Sequence, residues 1–275
     1  MTHTPPKIAE EGFSFGVFAD PHFARKKSDS ERSFSVSLKK LEECVPIFQN
    51  KGVDFVVCLG DFIDSNDDGA SPLNELVQVR DAFTEKGLTL FPVLGNHDIF
   101  DLRRETLAEV LGFPSANCYY SFDWKGWHFS VLETNFGPNG MPYTGRAFPW
   151  DECYVNPEQL QWLADDLRKA VGPAIVLTHG NLDPRYNGNS LDPHIVRNHE
   201  AVRSVIRQAG SVRMVLQGHY HKGCSWTVDG IPYLTLKAIV EDPTASELFI
   251  ISCRKDSTIL TEKIVHHITS EEMTI

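Results

Sequence analysis

The sequence lacks the long apolar runs that a membrane-spanning helix needs. Such a helix requires about 20 consecutive apolar residues, and no window of the 275-residue chain reaches that length. Residues 1–15 contain two acidic residues and two prolines, where a secretory signal would need an uninterrupted apolar stretch. We therefore predict a cytoplasmic protein that does not associate with membranes.

Cysteine is scarce, and its spacing shows no pairing. No CxxC or similar pair occurs among the six cysteines, which lie at positions 44, 58, 118, 153, 224 and 253. A chain of this size does not need disulfide bonds to be stable. We expect reduced thiols, with Cys58 packed inside a strand.

Positive charge is also in short supply. The chain has 26 Lys and Arg against 37 Asp and Glu, a net charge of -11. Binding to a long polyanion needs a basic surface, so this balance disfavours nucleic acid polymers as partners. A small phosphorylated substrate remains compatible if bound metal cations dominate the local field. These features do not define an oligomeric state.

Apolar residues make up 41% of the chain, enough for a substantial core, and they occur in short runs. Runs rich in β-branched and aromatic residues predict strands at 13–19, 53–59, 88–94, 127–132, 174–178, 212–216 and 233–236. Apolar spacings of three and four predict helices at 33–48, 72–86, 101–111, 157–170 and 199–208. A hairpin is predicted at 122–129, and the last forty residues have a β pattern. We therefore expect a single α/β domain over 1–275 with mixed sheets.

Polar side chains follow five of the predicted strands at the point where each strand ends. Ligands of open α/β sheets bind in the crevice beyond these ends, so five separate segments can converge on one site there. Glycines at 60, 95 and 218 would let the loops approach closely. The candidate ligands are Asp20, His22, Asp61, Asn96, His179, His219 and His221.

The types of donor in this set predict a metal site. Carboxylate, carboxamide and imidazole groups suit Mn²⁺, Fe or Zn²⁺ better than soft, thiolate-binding metals. Seven donors exceed the four ligands of a tetrahedral zinc ion, so two ions are the simpler interpretation. A carboxylate can bridge two such ions, and a bridging water then becomes a hydroxide nucleophile near neutral pH.

The ordered blocks D-x-H, G-D-x-x-D, G-N-H-D, a lone H and G-H-x-H span residues 20–221. In this order they resemble the calcineurin-like metallophosphoesterase superfamily. The resemblance implies two mixed β-sheets packed as a sandwich and flanked by helices, in four layers, αββα. It also implies that a metal-bridging hydroxide attacks a phosphate ester or anhydride of a small molecule.

The resemblance further assigns roles to individual residues. Asp61 bridges the ions, while Asp20, His22 and His221 bind one metal and Asn96, His179 and His219 bind the other. By the same resemblance, His97 protonates the leaving oxygen and Asp64 orients it, since an imidazolium beside a carboxylate has a raised pKa that suits a general acid. Asp98 is expected to orient a ligand from behind.

Residues 20–32 and 218–249 also resemble the manganese-dependent ADP-ribose and CDP-alcohol diphosphatases. These enzymes cleave the phosphoanhydride of nucleoside diphosphates linked to a sugar or alcohol, which makes such compounds the leading substrate class. The chain departs from them at His22, where glutamine is usual, and is shorter before Pro157. Phosphodiesterase action on cyclic nucleotides, phosphomonoesterase action and a catalytically idle scaffold of the same fold are the alternatives.

Other polar and aromatic residues carry weaker signals. Loops after later strands place Tyr143, Arg146 and Arg185 as candidate contacts for a nucleotide or phosphate. Four histidines lie outside the strand-end pattern and are interpreted as surface or helix residues: His194, His199, His266 and His267. Packing in the core or a hairpin is expected, rather than base stacking, for Trp124, Trp127 and Trp150.

Overall fold

The computed structural model describes residues 12–29, 32–65 and 71–268. Its strands are β1 (Gly12–Phe18), β2 (Phe55–Cys58), β3 (Leu90–Pro92), β4 (Tyr120–Trp124), β5 (Trp127–Val131), β6 (Ala174–Thr178), β7 (Tyr186–Asn187), β8 (Ser190–Leu191), β9 (Val212–Gln217), β10 (Lys222–Val228), β11 (Ile231–Lys237), β12 (Ala245–Arg254) and β13 (Ile259–His267). Its helices are α1 (Ser37–Lys51), α2 (Pro72–Thr84), α3 (Arg104–Leu111), α4 (Pro157–Lys169) and α5 (His199–Ala209), with a 3₁₀ turn at Phe34–Val36.

The strands form two large sheets of mixed direction. The first has the order β13-β12-β1-β2-β3, and the second has the order β10-β11-β9-β6-β5-β4. Parallel pairing joins β1 to β2 to β3, and likewise joins β5, β6, β9 and β11 in the second sheet. Antiparallel strands complete the edges, including the predicted β4–β5 hairpin. The expectation of mixed sheets is confirmed.

The two sheets pack face to face over an aromatic core. Successive strand residues point to opposite faces, so the alternate residues of β1 enter the space between the sheets. There Phe15 stacks on Phe55 at a centroid distance of 4.9 Å and meets Phe129 edge to face at 5.5 Å. Helices α1, α2 and α3 cover the outer face of the first sheet, and α4 and α5 cover the second. The predicted αββα layering is therefore confirmed.

Several predicted boundaries differ from the structure. The helix predicted over 33–48 begins as the 3₁₀ turn, and α1 continues to Lys51, where Gly52 ends it in a left-handed conformation. The strand predicted over 88–94 is only three residues long. The last three strands of the described chain agree with the predicted β pattern.

All six cysteines are free thiols, and Cys58 is fully buried, as expected. Among the described residues, no helix combines the length and apolar character needed to cross a membrane.

Candidate metal centre

Five loops meet at one edge of the sandwich, where β1, β2 and β3 of one sheet and β6 and β9 of the other end. Backbone hydrogen bonds hold the loops together. The amide of His22 donates to the carbonyl of Asp61 at 2.8 Å, and the amide of Gly218 donates to the carbonyl of His179 at 3.3 Å. The side chains of all seven predicted ligands lie in one cluster, and the parallel strand directions explain why.

The cluster divides into two groups that share a centre. Ligand atoms of Asp20, His22 and His221 lie within 4.8 Å of one another, as do those of Asp61, His179 and His219. Asp61 lies between the groups, because its Oδ2 is 3.3 Å from Nε2 of both His22 and His179. The carboxylate is therefore placed where one group could bind two ions at once.

Hydrogen bonds at Nδ1 orient three of the imidazoles. Nδ1 of His22 faces Asp64 Oδ2 at 3.0 Å, that of His179 faces the Leu59 carbonyl at 2.8 Å, and that of His221 faces Glu241 Oε1 at 2.6 Å. Each Nδ1 must donate to an oxygen, so the lone pair of each neutral ring lies on Nε2 and points into the cluster. This is the arrangement that metal-binding histidines adopt.

The inward-facing atoms require positive charge between them. Nε2 of His22 is 3.1 Å from Nε2 of His221, and Nε2 of His179 is 3.0 Å from the Asn96 side-chain oxygen. Two lone pairs at these distances repel unless a proton or a cation lies between them. The donor set and its orientation therefore fit metal cations.

Charge and burial act against each other in the cluster. Burial lowers the pKa of His179, but the carboxylates of Asp61 and Asp20 outweigh it and raise the pKa to about 10. Burial lowers the pKa of His22 to about 3 and raises that of Asp20 to about 6. Buried carboxylates are stable only when paired with positive charge or bound to a metal, so the cluster has a strong attraction for cations.

Four candidate ligands have a backbone conformation that side chains rarely adopt. The φ angles are positive at Asp20 (54°), His22 (45°), Asp61 (51°) and His219 (66°). Each such residue is strained by roughly 1–3 kcal/mol, and strain of this kind concentrates at functional sites. Nearby, a Cβ on Gly95 would lie 2.1 Å from the amide nitrogen of Asp61, which explains the glycine there.

His97 lies beside the cluster, as the sequence predicted. Its Nδ1 is 3.2 Å from Asp64 Oδ2, and its amide donates to Asp61 Oδ1 at 2.8 Å. Burial lowers the pKa of His97, but the carboxylates of Asp61 and Asp64 outweigh it and leave the pKa raised. Its ring also lies within 4.8 Å of ligand atoms of His22 and Asp61, so proximity alone does not distinguish a proton donor from a ligand.

Asp98 stabilises the backbone of the site. Its buried carboxylate accepts hydrogen bonds from the amides of Asp61, Phe62 and Gly95 at 3.1, 2.8 and 2.9 Å. It therefore positions Asp61 through the main chain rather than by holding an imidazole.

A cavity of about 620 Å³ opens above the cluster. None of the three side chains expected to contact substrate lines it. Arg146 forms an ion pair with Asp101, and Tyr143 stacks on Phe148 at 4.8 Å. Arg185 is buried among Asn181, Asp183 and Asp192.

Residues that the sequence did not indicate as substrate contacts line this cavity instead. His194 and Trp150 come from loops, and the ring of His194 lies 5.0 Å from that of His219. His194 is partly exposed, as expected of a surface histidine, but its ring lines the cavity. The expectation that Trp150 packs in a core or hairpin is wrong, since its side chain is 42% exposed. Arg32 and Glu241 also line the cavity, and both lie within the two segments that carried the narrower resemblance. His266, in contrast, lies far along the chain on β13 and contacts Glu43.

Comparison with known proteins supports the same conclusion. The family model of calcineurin-like phosphoesterases matches residues 13–223. A manganese-dependent ADP-ribose/CDP-alcohol diphosphatase from Oryza sativa subsp. japonica is 27% identical, covering 86% of each chain. A 3',5'-cyclic adenosine monophosphate phosphodiesterase from Haemophilus influenzae is 26% identical, covering 74% of this chain and 68% of that protein. A dimetal phosphatase from Danio rerio superposes with a TM-score of 0.78 at 20% identity, covering 94% of this chain and all of that one. The chain belongs to the calcineurin-like phosphoesterase family and is a metal-dependent phosphoester hydrolase.

Proposed function

We propose that this enzyme hydrolyses the phosphoanhydride of nucleoside diphosphates linked to a sugar or an alcohol. The observation that carries the dinuclear part of the proposal is the position of Asp61, at the same 3.3 Å distance from a histidine of each group. In the proposed assignment Asp20, His22 and His221 hold one ion and Asn96, His179 and His219 hold the other, with Asp61 between them. Bound ions would supply Lewis-acid activation of water and of the phosphate.

Manganese is the proposed metal. Every candidate ligand atom is an oxygen or an imidazole nitrogen, a set that suits Mn²⁺ as well as Fe or Zn²⁺. The relatives from Oryza sativa and Arabidopsis thaliana are described as manganese-dependent, and this favours Mn²⁺ among the three.

The remaining residues orient groups and move a proton. Asp64 and Glu241 fix the rings of His22 and His221 through their Nδ1 atoms. His97 is proposed to donate a proton to the leaving oxygen, because Asp64 lies beside its Nδ1 and its pKa is raised. A positioned general acid of this kind accelerates a reaction roughly 10²–10⁴-fold.

The cavity supports a substrate with two phosphates. Its volume of about 620 Å³ lies within the range of small-molecule sites. Arg32 and Lys222 line it beside the cluster, so their positive charges can bind the phosphate that is not attacked. The relatives from Oryza sativa and Arabidopsis thaliana act on ADP-ribose and CDP-alcohols.

A cyclic-nucleotide phosphodiesterase is the second candidate, because the relative from Haemophilus influenzae acts on 3',5'-cyclic adenosine monophosphate. The convergence of all seven predicted ligands argues against an idle scaffold, which would be expected to lose some of them.

A substrate panel with Mn²⁺ tests the proposal. ADP-ribose and CDP-glycerol should give a higher kcat/KM than AMP, CMP or cyclic AMP. Equal or better turnover of the monophosphates would identify a phosphomonoesterase, and preference for cyclic AMP would support the second candidate. Asp61→Asn serves as the background control, since it removes the shared carboxylate.

We also propose one domain over residues 1–275 and a cytoplasmic location. Strands of both sheets contribute ligands to one site, which supports a single domain. The six free thiols support a reducing compartment.

A further inference from the structure

Trp150 is an exposed aromatic residue at the mouth of the cavity. Its side chain is 42% exposed, and its ring centroid lies 5.3 Å from that of His194 and 5.7 Å from that of His219. Single exposed aromatic residues are common on protein surfaces, but this indole is open to water at the mouth of the cavity that lies above the candidate metal cluster. Its position above a candidate metal ligand places it within reach of anything bound at the cluster.

The backbone around Trp150 is held in place although the side chain is exposed. The guanidinium of Arg197 donates two hydrogen bonds to the carbonyl of Asp151, and the thiol of Cys153 contacts the Trp150 carbonyl at 3.2 Å. The amide of Arg197 also donates to the carbonyl of Cys153 at 2.8 Å. The indole is therefore presented on an ordered segment, so little conformational freedom would be lost when a ligand packs on it.

The lining of the cavity combines aromatic and cationic side chains. Trp150, Phe100 and Tyr220 supply the aromatic groups, and Arg32 and Lys222 supply the cations. Tyr220 is itself fixed, because the guanidinium of Arg185 lies 3.9 Å above its ring. A ligand that carries both a flat π system and phosphates matches this lining.

We propose that Trp150 forms a nucleobase-stacking subsite, together with His194 on which its ring packs. The proposal rests on the proposed function, since it takes the phosphates to lie over the metal cluster. Stacking on an aromatic side chain reads the π face of a base rather than its hydrogen-bonding edge, so purine and pyrimidine nucleotides should both bind. Stacking of one base contributes about 1–3 kcal/mol, which corresponds to a roughly 5- to 150-fold change in binding.

The experiment compares Trp150→Ala with Trp150→Phe in the full-length protein loaded with Mn²⁺. The measured quantity is the ratio of kcat/KM for ADP-ribose to kcat/KM for a dialkyl diphosphate, which has the same anhydride but no base. Trp150→Ala should lower this ratio roughly 5- to 150-fold, mainly through KM for ADP-ribose. Trp150→Phe should restore most of it, because the benzyl ring still offers a π face.

Trp226 provides the matched control. Its side chain is 41% exposed, nearly the same as that of Trp150, but it lies on β10 and does not line the cavity. Trp226→Ala should leave the ratio as in the wild type. An unchanged ratio in Trp150→Ala, or an equal fall in Trp226→Ala, would overturn the proposal.

Direct binding separates this proposal from the proposed function. If the wild type does not hydrolyse ADP-ribose, the substrate assignment fails, but stacking is still decided by the Kd of AMP relative to that of inorganic phosphate. Trp150→Ala should weaken AMP binding roughly 5- to 150-fold and leave phosphate binding less affected. Equal weakening of both ligands would show that Trp150 acts on the metal cluster through His219 and not on a base.

Discussion

A cluster of histidine and aspartate lies at each end of the strands of the second sheet, and the cluster at the carboxyl ends is shared with the first sheet. The two clusters differ in how their imidazoles are used. At the carboxyl ends of the strands, His22, His179 and His221 each have Nδ1 bound to an oxygen and Nε2 directed into the cluster. At the opposite end of the strands, both ring nitrogens of His128 in β5 have a carboxylate partner. Asp123 lies 2.8 Å from Nδ1 and Asp166 lies 2.8 Å from Nε2.

This difference separates a histidine that is able to bind a metal from one that is not. An imidazole with one nitrogen anchored keeps a lone pair for a cation. An imidazole between two carboxylates has no lone pair to offer and is stable as a cation itself. His128 therefore links the β4–β5 hairpin to α4, and Asp166 also accepts hydrogen bonds from the hydroxyls of Ser121 and Ser130 at 2.7 Å. The cluster around His128 therefore contains the residue types of a metal site, but its imidazole has no free nitrogen for a metal ion.

The largest expected effect comes from removing the charge shared by the two ligand groups. Asp61→Asn should nearly abolish activity and lower the metal content, because both groups depend on this carboxylate. Elemental analysis and kcat/KM measure the two effects. Asp166→Asn is the matched control, since it removes a carboxylate from the structural cluster and should leave the metal content unchanged. Two full equivalents of metal and near-normal turnover in Asp61→Asn would contradict the dinuclear site.

His97 tests whether a histidine beside the cluster acts as a proton donor. His97→Asn should keep both metals and slow substrates with alkoxide leaving groups by roughly 10²–10⁴-fold. A nitrophenyl ester should be slowed far less, because nitrophenolate leaves without a proton. Asp64→Asn should show the same selectivity more mildly, because the imidazole of His97 remains and the asparagine oxygen can still accept from Nδ1 of His22.

Two outcomes would reverse the assignment of His97. Loss of metal from His97→Asn would make it a ligand, as its distance from His22 and Asp61 permits. Equal slowing of aryl and alkyl substrates would remove the proton-donor role.

A moderate effect is expected from the oxygen that anchors His221. Glu241→Ala should weaken Mn²⁺ binding about 10–100-fold, the usual effect of losing a partner that orients a metal-bound histidine. Glu241→Gln keeps an accepting oxygen and should recover part of this affinity. Titration of activity with Mn²⁺ measures the change, and most of the lost rate should return at high metal concentration. A rate deficit that no amount of Mn²⁺ relieves would show that Glu241 contacts substrate instead.

The smallest effect should come from the structural cluster and depends on pH. Burial lowers the pKa of His128, but Asp166 and Asp123 outweigh it and leave the pKa raised. Burial raises the pKa of Asp166, but hydrogen bonds from His128, Ser121 and Ser130 outweigh it and leave the pKa lowered. A histidine whose pKa is raised in the folded state stabilises the fold. This stabilisation is fully present below the ordinary histidine pKa of about 6.5 and is lost as the pH rises through the folded-state pKa. An aspartate whose pKa is lowered in the folded state stabilises the fold above about pH 4, and this stabilisation is lost in acid.

His128→Gln should therefore reduce the free energy of unfolding by about 1–2 kcal/mol near pH 6 and by less near pH 9. Urea denaturation of the wild type and of His128→Gln at both pH values measures the difference. The metal site is the same in both proteins, so its titration cancels in the comparison. A difference that grows with pH would mean that His128 is neutral in the fold.

The sequence predicted that the candidate ligands lie together because the segments that carry them follow strands. An apolar run in the sequence locates a strand, and the carboxyl ends of parallel strands lie at the same end of the sheet. Residues that follow different strands can therefore be predicted to lie close together in space. Asp20 and His219 could be placed together for this reason although 199 residues separate them. The same logic placed Asp64 and His97.

The cavity wall could not be predicted in this way. Trp150 and His194 lie on irregular loops whose course depends on distant contacts, such as that of Arg197 with Asp151. Arg185 was misjudged for a related reason, because a loop arginine suggests a phosphate contact, whereas two nearby aspartates at 183 and 192 neutralise it. Neighbouring opposite charges in the sequence were the available signal.

The left-handed backbone of four candidate ligands sets activity against stability. Glycine at the position of Asp20, His22, Asp61 or His219 would adopt the observed positive φ without steric strain. The residue that best fits the local backbone is therefore not one that offers a metal-binding side chain. Selection for stability alone would replace these side chains and leave a more stable but inactive protein. Variants selected for thermal stability that carry substitutions at these four positions should therefore be checked for loss of bound metal.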